Sequence, residues 1–98
     1  MENRSLMDQV VTATSNVYQV APADVRGKSR GRIVSDARQM AMYVAREKGE
    51  YLARIAEYFA ITPQAVSIAT NRLAGRLKAH RPLKDRHDRV ALLLANMG

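Results

Sequence analysis

The sequence predicts an all-α domain of five to six helices that contains a helix-turn-helix. Apolar residues recur at spacings of three and four along most of the chain, whereas alternation of apolar and polar residues never lasts beyond a few positions. Proline and glycine separate the periodic segments, which indicates short connections between helices. A chain of 98 residues has room for one domain, so residues 1–98 are taken as a single helical domain.

A first helix is predicted from about Ser5 to Asn16, where Ser5 and Asp8 form a weak capping box. Its inward side chains share a helical spacing and are Leu6, Val10, Val11 and Ala13. Pro22 suits the first position of a short second helix, which stops at Gly27.

A long third helix is predicted from residue 34 or 35 to about Lys48, and Gly49 ends it. Its buried stripe consists of Ala37, Met40, Ala41, Val44 and Ala45. A shorter fourth helix opens at residue 50 or 51. Its inward residues are Leu52, Ile55, Ala56 and Phe59.

The fifth helix has a strong start, because Thr62 suits the N-cap and Pro63 the first helical position. It continues to about Ala79 with an apolar stripe of Val66, Ala69, Leu73 and Leu77. Pro82 then interrupts the chain, and a last helix is predicted over about residues 83–96. It carries the apolar residues Val90, Leu93, Leu94 and Met97.

The fourth and fifth helices, about residues 52–79, have the pattern of a helix-turn-helix. The positions that hold such a pair together are all apolar in this chain and are Ile55, Ala56, Phe59, Ile61, Val66 and Ala69. Ala56 must be small because the two helices nearly touch there. Ala60 stands where glycine usually makes the turn, and a positive φ at a non-glycine residue costs roughly 1 kcal/mol. A purely structural helical hairpin is the alternative.

The second helix of this motif is expected to turn its polar side toward the major groove of DNA. The side chains at its leading end and away from its apolar stripe are Thr62, Gln64, Ser67, Ile68 and Asn71. Gln64 and Asn71 can each make a bidentate contact to adenine, Ser67 can serve a base or a phosphate, and Ile68 can touch a thymine methyl group. Arg72 and Arg76 flank the helix and are expected to meet phosphates. The alternative is a solvated polar face.

Positive charge is concentrated in two parts of the chain. Sixteen Lys and Arg residues oppose nine Asp and Glu residues, a net charge of +7. Cations occupy every second position from Arg26 to Arg32, and residues 58–84 contain no acid. Residues 28–32 are expected to form an exposed loop. This distribution predicts a basic surface for nucleic acid; an anionic membrane surface or an acidic protein is the alternative.

Several other chemistries lack the residues they need. The absence of Cys excludes a disulfide framework, a thiolate zinc site and a cysteine nucleophile. Residues 27–29 resemble the end of a phosphate-binding loop, but Pro22 stands where that motif needs its first glycine. His80 and His87 match no metal-binding spacing. No apolar run could span a bilayer, and the first residues lack the apolar segment of a secretory signal. We expect a cytoplasmic, nucleoid-associated protein with no enzyme activity, cofactor, metal or membrane partner.

Three segments of the chain resemble the C-terminal DNA-binding domain of the bacterial chromosomal replication initiator, DnaA. They are Lys28-Ser29-Arg30-Gly31-Arg32, residues 37–47, and Ile55-Ala56-Glu57-Tyr58-Phe59, with residues 17–25 similar to the start of that domain. The resemblance covers about Leu6 to Leu77. It implies a Trp-repressor-like helical fold, and a basic loop in which Arg30 or Arg32 enters the minor groove of DNA. Arginine suits a narrow, electronegative groove. We expect Lys28, Arg38 and Arg46 to contribute to DNA binding beside it.

The resemblance breaks at the head of the recognition helix. Initiators carry Gly-Gly-Arg-Asp-His-Thr/Ser-Thr-Val there, whereas residues 60–66 read Ala-Ile-Thr-Pro-Gln-Ala-Val. Because the Arg-Asp-His triplet is missing, a DNA target other than the initiator's own box is expected. An accessory DNA-binding domain of a transposase or a transcriptional regulator is one alternative. A module that binds a protein partner, or forms a homodimer, through the C-terminal helix (apolar residues 92–97) is the other.

Overall fold

A computed structural model describes residues 5–97 of the chain, and these residues form six α-helices with no strand among them. The helices are α1 (Leu6–Tyr18), α2 (Pro22–Arg26), α3 (Arg32–Glu47), α4 (Leu52–Phe59), α5 (Pro63–Ala79) and α6 (Arg81–Ala95). The all-α prediction is thereby confirmed. Residues 1–4, on which the expectation about a secretory signal depends, lie outside the described part, as does residue 98.

The long helix α3 is the centre of the molecule. α1 and α5 pack extensively against it, and α6 packs mainly on α1. The predicted stripe of α3 is fully buried, with Ala37, Met40, Ala41, Val44 and Ala45 at most 1% exposed. α1 contributes Val10 and Val11 to the same core, and α6 contributes Val90 and Leu94. No helix in residues 5–97 has the length and apolar character needed to cross a membrane.

Two helices begin earlier than their sequence signals indicate. α3 starts at Arg32 because Gly31 is its N-cap, and the Gly31 carbonyl accepts a hydrogen bond from the backbone N–H of Ser35 at 2.9 Å. Arg32 is therefore the first helical residue and not the last loop residue. α6 starts at Arg81 because Pro82 lies in its first turn, where a missing N–H costs no hydrogen bond.

The last helix was expected to carry Met97, but Met97 lies just beyond its end. α6 ends at Ala95, with Asn96 as its C-cap, so Met97 follows the helix and is 37% exposed. The helical spacing of apolar residues continues in the sequence to Met97, two residues beyond the last residue of α6. The buried positions of α6 are Leu83, Val90 and Leu94, and Leu93 packs partly buried against the core.

Candidate nucleic-acid interface

The turn between α4 and α5 has the geometry that a helix-turn-helix requires. Ala60 adopts the left-handed conformation, with φ 58° and ψ 45°, and its N–H caps the end of α4. The chain is then extended at Thr62, whose hydroxyl oxygen accepts a hydrogen bond from the backbone N–H of Ala65 at 3.1 Å. Pro63 follows as the first residue of α5. Thr62 and Pro63 therefore act as predicted, and the turn accepts alanine in place of glycine.

The contact between α4 and α5 uses most of the apolar residues assigned to it. Ile55, Ala56, Phe59 and Val66 are at most 4% exposed, and Ala69 is half-buried against the core. Ile61 is 37% exposed, so its assignment to the interior of the pair was wrong. Ile61 follows the reversal at Ala60, and its side chain lines an open groove instead.

The outward side of α5 carries the residues that the sequence assigned to base contacts. Thr62, Gln64 and Asn71 are exposed, whereas Ser67 is half-buried. Ile68 is 53% exposed, so an apolar side chain is accessible on this side of α5. The predicted phosphate contacts Arg72 and Arg76 are also exposed.

Residues 27–31, here called the basic loop, connect α2 to α3. Lys28 and Arg30 are exposed in it, and Arg32 is exposed at the start of α3. Arg26 belongs to α2, and its guanidinium lies over the ring of Tyr58 at 5.0 Å from the ring centroid. Only three of the four alternating cations are thus displayed together around the basic loop.

Arg38 connects α3 to the basic loop. Its Nε donates to the carbonyl of Val25 at 2.9 Å, and its Nη2 donates to the carbonyls of Asp24 at 2.9 Å and Ser29 at 3.1 Å. The hydroxyl of Ser29 donates to Oδ1 of Asp24 at 3.3 Å. A single guanidinium therefore holds the end of α2 and the beginning of the basic loop in one arrangement. No sequence pattern indicates these bonds, since they join residues 9 to 14 positions apart.

An open groove of about 410 Å³ lies between the basic loop and the turn of the helix-turn-helix. Lys28, Arg30 and Arg38 line one part of it, and Phe59 and Ile61 line another. The groove brings a cationic segment next to the turn that starts α5. The basic loop and the start of α5, the second helix of the helix-turn-helix, are therefore neighbours on one side of the molecule.

Arg46, also predicted to bind DNA, is exposed near the end of α3. Its Nη1 donates to the carbonyl of Glu50 at 2.9 Å, which fixes the connection between α3 and α4. Glu50 in turn forms an ion pair with Arg54 at 3.7 Å.

Tyr58 connects the helix-turn-helix to the rest of the core. Its hydroxyl donates to Oδ1 of Asp8 at 2.9 Å, and its ring packs edge-on against Phe59 at 5.1 Å between centroids. Burial, together with the hydrogen bond to Asp8, raises the pKa of Tyr58 to about 12. Asp8, Arg26 and Tyr58 thus link α1, α2 and α4 beside the basic loop.

His87 lies at the contact between α6 and α3. Its side chain is 15% exposed, with Nε2 at 2.6 Å from Oε1 of Glu47 and Nδ1 at 3.1 Å from Oδ1 of Asp88. Hydrogen bonds from His87 and Lys84 hold the pKa of Asp88 below its usual range. Residues 5–97 contain no cluster of three metal-ligating side chains. The cluster around His87 fastens α6 to α3.

Comparison with known families agrees with this geometry. A family model described as the bacterial dnaA protein helix-turn-helix matches residues 7–71, about two thirds of the chain. The match includes the basic loop, the turn at Ala60 and the first half of α5. α6 and the second half of α5 lie beyond it.

Proposed function

We propose that this chain, which belongs to the bacterial DnaA helix-turn-helix family, is a sequence-specific binding domain for double-stranded DNA in the bacterial cytoplasm. Membership implies DNA binding, and the DnaA C-terminal domain is a DNA-binding module with no catalytic role itself. The observation that carries the finer proposal is the shared groove, which makes the basic loop and the head of α5 neighbours. A DNA duplex can then contact both segments at once, with α5 in its major groove and the basic loop in its minor groove.

The first half of α5 enters the major groove in this proposal. Gln64 and Asn71 offer amide groups of the kind that pair with adenine, and the exposed Ile68 suits a thymine methyl group. Thr62 and Ser67 are close enough to the leading end to contact a base or the backbone. Because the Arg-Asp-His triplet of initiators is missing, the target differs from the initiator's own box.

The basic loop enters the adjacent minor groove. Arg30 is exposed in the loop and Arg32 at the adjoining start of α3, and each offers the guanidinium group that a narrow groove attracts. Arg38 acts mainly by holding the basic loop in place, since Nε and Nη2 are already bonded to carbonyls. A phosphate contact by Arg38 would come through Nη1.

Phosphate contacts surround these two points of entry. Lys28 lies in the basic loop, while Arg72 and Arg76 lie on the exposed side of α5. Arg46 lies at the end of α3, and its bond to Glu50 leaves part of its guanidinium for a phosphate. Such contacts position the domain without reading sequence.

Selection of bound duplexes from a random pool tests sequence specificity directly. We expect one enriched motif with an A·T-containing segment beside it. On the selected duplex, Arg30→Ala combined with Arg32→Ala should weaken binding at least tenfold. Unchanged affinity of this double variant would remove the minor-groove assignment, and a pool without enrichment would contradict specificity.

Gln64→Ala tests base reading by α5. We expect it to relax the base preference at one position of the selected motif more than it lowers overall affinity, because an amide lost from a base edge removes discrimination. A uniform loss on every duplex would make Gln64 a positioning contact only. Repeating the selection with the variant distinguishes these results.

A protein partner at the end of α6 is a second candidate function. Leu92 is 65% exposed and lines a groove of about 300 Å³ between α1 and α6, together with Val17 and Leu93. Size measurement in solution, with and without a labelled duplex, separates this function from DNA binding alone. A monomer that binds the duplex with full affinity would speak against dimerisation through α6.

A further inference from the structure

Gly75 lies inside the continuous helix α5, although no packing contact among the described residues requires a glycine there. It lies in the second half of α5, a helix of 17 residues, and is exposed. Apart from the neighbouring backbone of its own helix, a Cβ atom added at Gly75 would meet no atom within 4 Å. Glycine in a helix interior is less favourable than alanine, so its presence costs stability. No contact within residues 5–97 requires that a side chain be absent at this position.

Gly75 lies on the same side of α5 as the residues proposed to read bases. Gln64, Ile68, Asn71, Gly75 and Lys78 follow one another at spacings of four, three, four and three, which places them on one face. All five are exposed. At Gly75 this face is flat, so another molecule can approach the helix backbone closely there.

A basic groove follows directly beyond Gly75. It has a volume of about 350 Å³ at the junction of α5 and α6, and its lining residues are Leu77, Lys78, Ala79, His80, Arg81 and Lys84. No acidic side chain lines it. Lys84 is held by Asp88 at 3.1 Å, but within residues 5–97 no hydrogen bond or ion pair engages the side chain of Lys78 or of Arg81.

We propose that Gly75, Lys78 and Arg81 form a second contact surface, at which α5 and α6 meet the phosphodiester backbone of the same duplex. The proposal rests on the function proposed above. Lys78 lies about 21 Å along the helix axis from Gln64, farther than the roughly 12 Å width of the major groove. The end of α5 therefore emerges over a strand that borders the groove. This surface lies beyond residue 71, where the family match ends.

Substitution of Gly75 separates this role from a structural one. Gly75→Ala should raise the melting temperature while it weakens binding to the selected duplex about threefold, because the methyl group separates helix and strand. Gly75→Gln, which fills the space, should weaken binding at least tenfold. Ala95→Gln at the exposed end of α6 is the matched control and should leave affinity unchanged. Full affinity of both Gly75 variants would show that no strand approaches there.

Removal of the two cations tests the phosphate contacts. Lys78→Gln with Arg81→Gln should weaken binding at least fivefold and make the slope of log K against log[salt] shallower by about 1.8, or 0.9 per contact. Lys48→Gln with Arg89→Gln removes the same charge from exposed positions elsewhere and should leave the slope unchanged.

The outcomes distinguish this surface from the proposed function. Equal losses of affinity in the two double variants would show that the effect comes from net charge alone, and this result would overturn the second contact surface. A wild-type chain that binds the selected duplex, together with a Lys78 and Arg81 variant that binds as tightly and with the same slope, would overturn the second surface alone. A wild-type chain that binds no duplex would overturn both.

Discussion

Arg38 carries a charge that sequence analysis assigned to DNA, yet its hydrogen bonds go to the protein. Two of its acceptors, the carbonyls of Asp24 and Val25, belong to α2, and the third, the carbonyl of Ser29, belongs to the basic loop. A planar guanidinium with five N–H donors can hold these carbonyls together. A loop already ordered in the free protein loses less entropy on binding.

Arg38→Lys keeps the charge but cannot reproduce three bonds in this geometry. We expect about tenfold weaker binding to the selected duplex with an unchanged salt slope, because lysine keeps the positive charge and the number of neutralised phosphates stays the same. Faster hydrogen exchange of the amides in residues 27–31 would accompany it. The control is Arg72→Lys, which should bind nearly as wild type. An Arg38→Lys variant with wild-type affinity would contradict the positioning role.

Tyr58 makes a contribution to stability that depends on pH. Its pKa is raised from 10.0 to about 12 in the folded chain, chiefly by burial, so the folded state keeps the proton longer than the unfolded state. Its contribution is therefore complete below pH 10 and is lost as pH rises toward 12. In urea denaturation across this window, wild type should lose more stability than Tyr58→Phe. If the free energy of unfolding fell equally with pH in the two proteins, the contribution of Tyr58 would be refuted.

At the scale of the element, the helix-turn-helix depends on one reversal of the backbone. Ala60 caps the end of α4 in the left-handed conformation, and α5 begins three residues later, at Pro63, behind the cap of Thr62. The cap and Pro63 define the start of α5 locally, whereas the angle between the helices depends on buried contacts of Ala56 and Val66. The turn therefore tolerates a residue that is not ideal for its φ.

Ala60→Gly should stabilise the domain. Glycine reaches positive φ without a Cβ penalty, and we expect a gain of about 1 kcal/mol in the free energy of unfolding, less the entropy of a more flexible unfolded chain. Thermal denaturation should show a melting temperature several degrees higher. The same change inside α6, Ala91→Gly, should lower stability by about 1 kcal/mol. A lower melting temperature for Ala60→Gly would contradict the role of its φ.

At the scale of the whole molecule, a net charge of +7 is distributed unevenly. The basic loop and α5 contain no acidic residue, whereas Glu47 and Asp88 pair with His87, and Glu50 pairs with Arg54. These three acids are thus engaged by basic side chains of the protein itself, and the contact between Glu47 and His87 joins α3 to α6. The cations around the basic loop and along α5 remain available to a polyanion.

Binding to a duplex should depend steeply on salt. With about six phosphates neutralised, log K should fall with log[salt] at a slope near −5. A titration series between about 50 and 200 mM salt measures the slope. A slope near −1 would leave the basic surface without its predicted role.

The sequence by itself determined the helices and the helix-turn-helix. Helical spacing of apolar residues, the Thr62-Pro63 start and the Pro22 start are local signals, and each acts through residues within one or two turns. For this reason the all-α class and the order of helices followed from the sequence. The starts of α3 and α6 did not follow from the sequence, because Gly31 and Pro82 are each compatible with more than one first helical residue.

Only the tertiary structure decided which residues of distant segments meet. The bonds from Arg38 to Asp24, the pairing of His87 with Glu47 across 40 positions, and the position of Ile61 in the groove beside the basic loop all depend on helix packing. Local periodicity shows which side of a helix is buried but not what faces that side. The side-by-side arrangement of the basic loop and the recognition helix therefore arises from packing around α3 and not from any one segment.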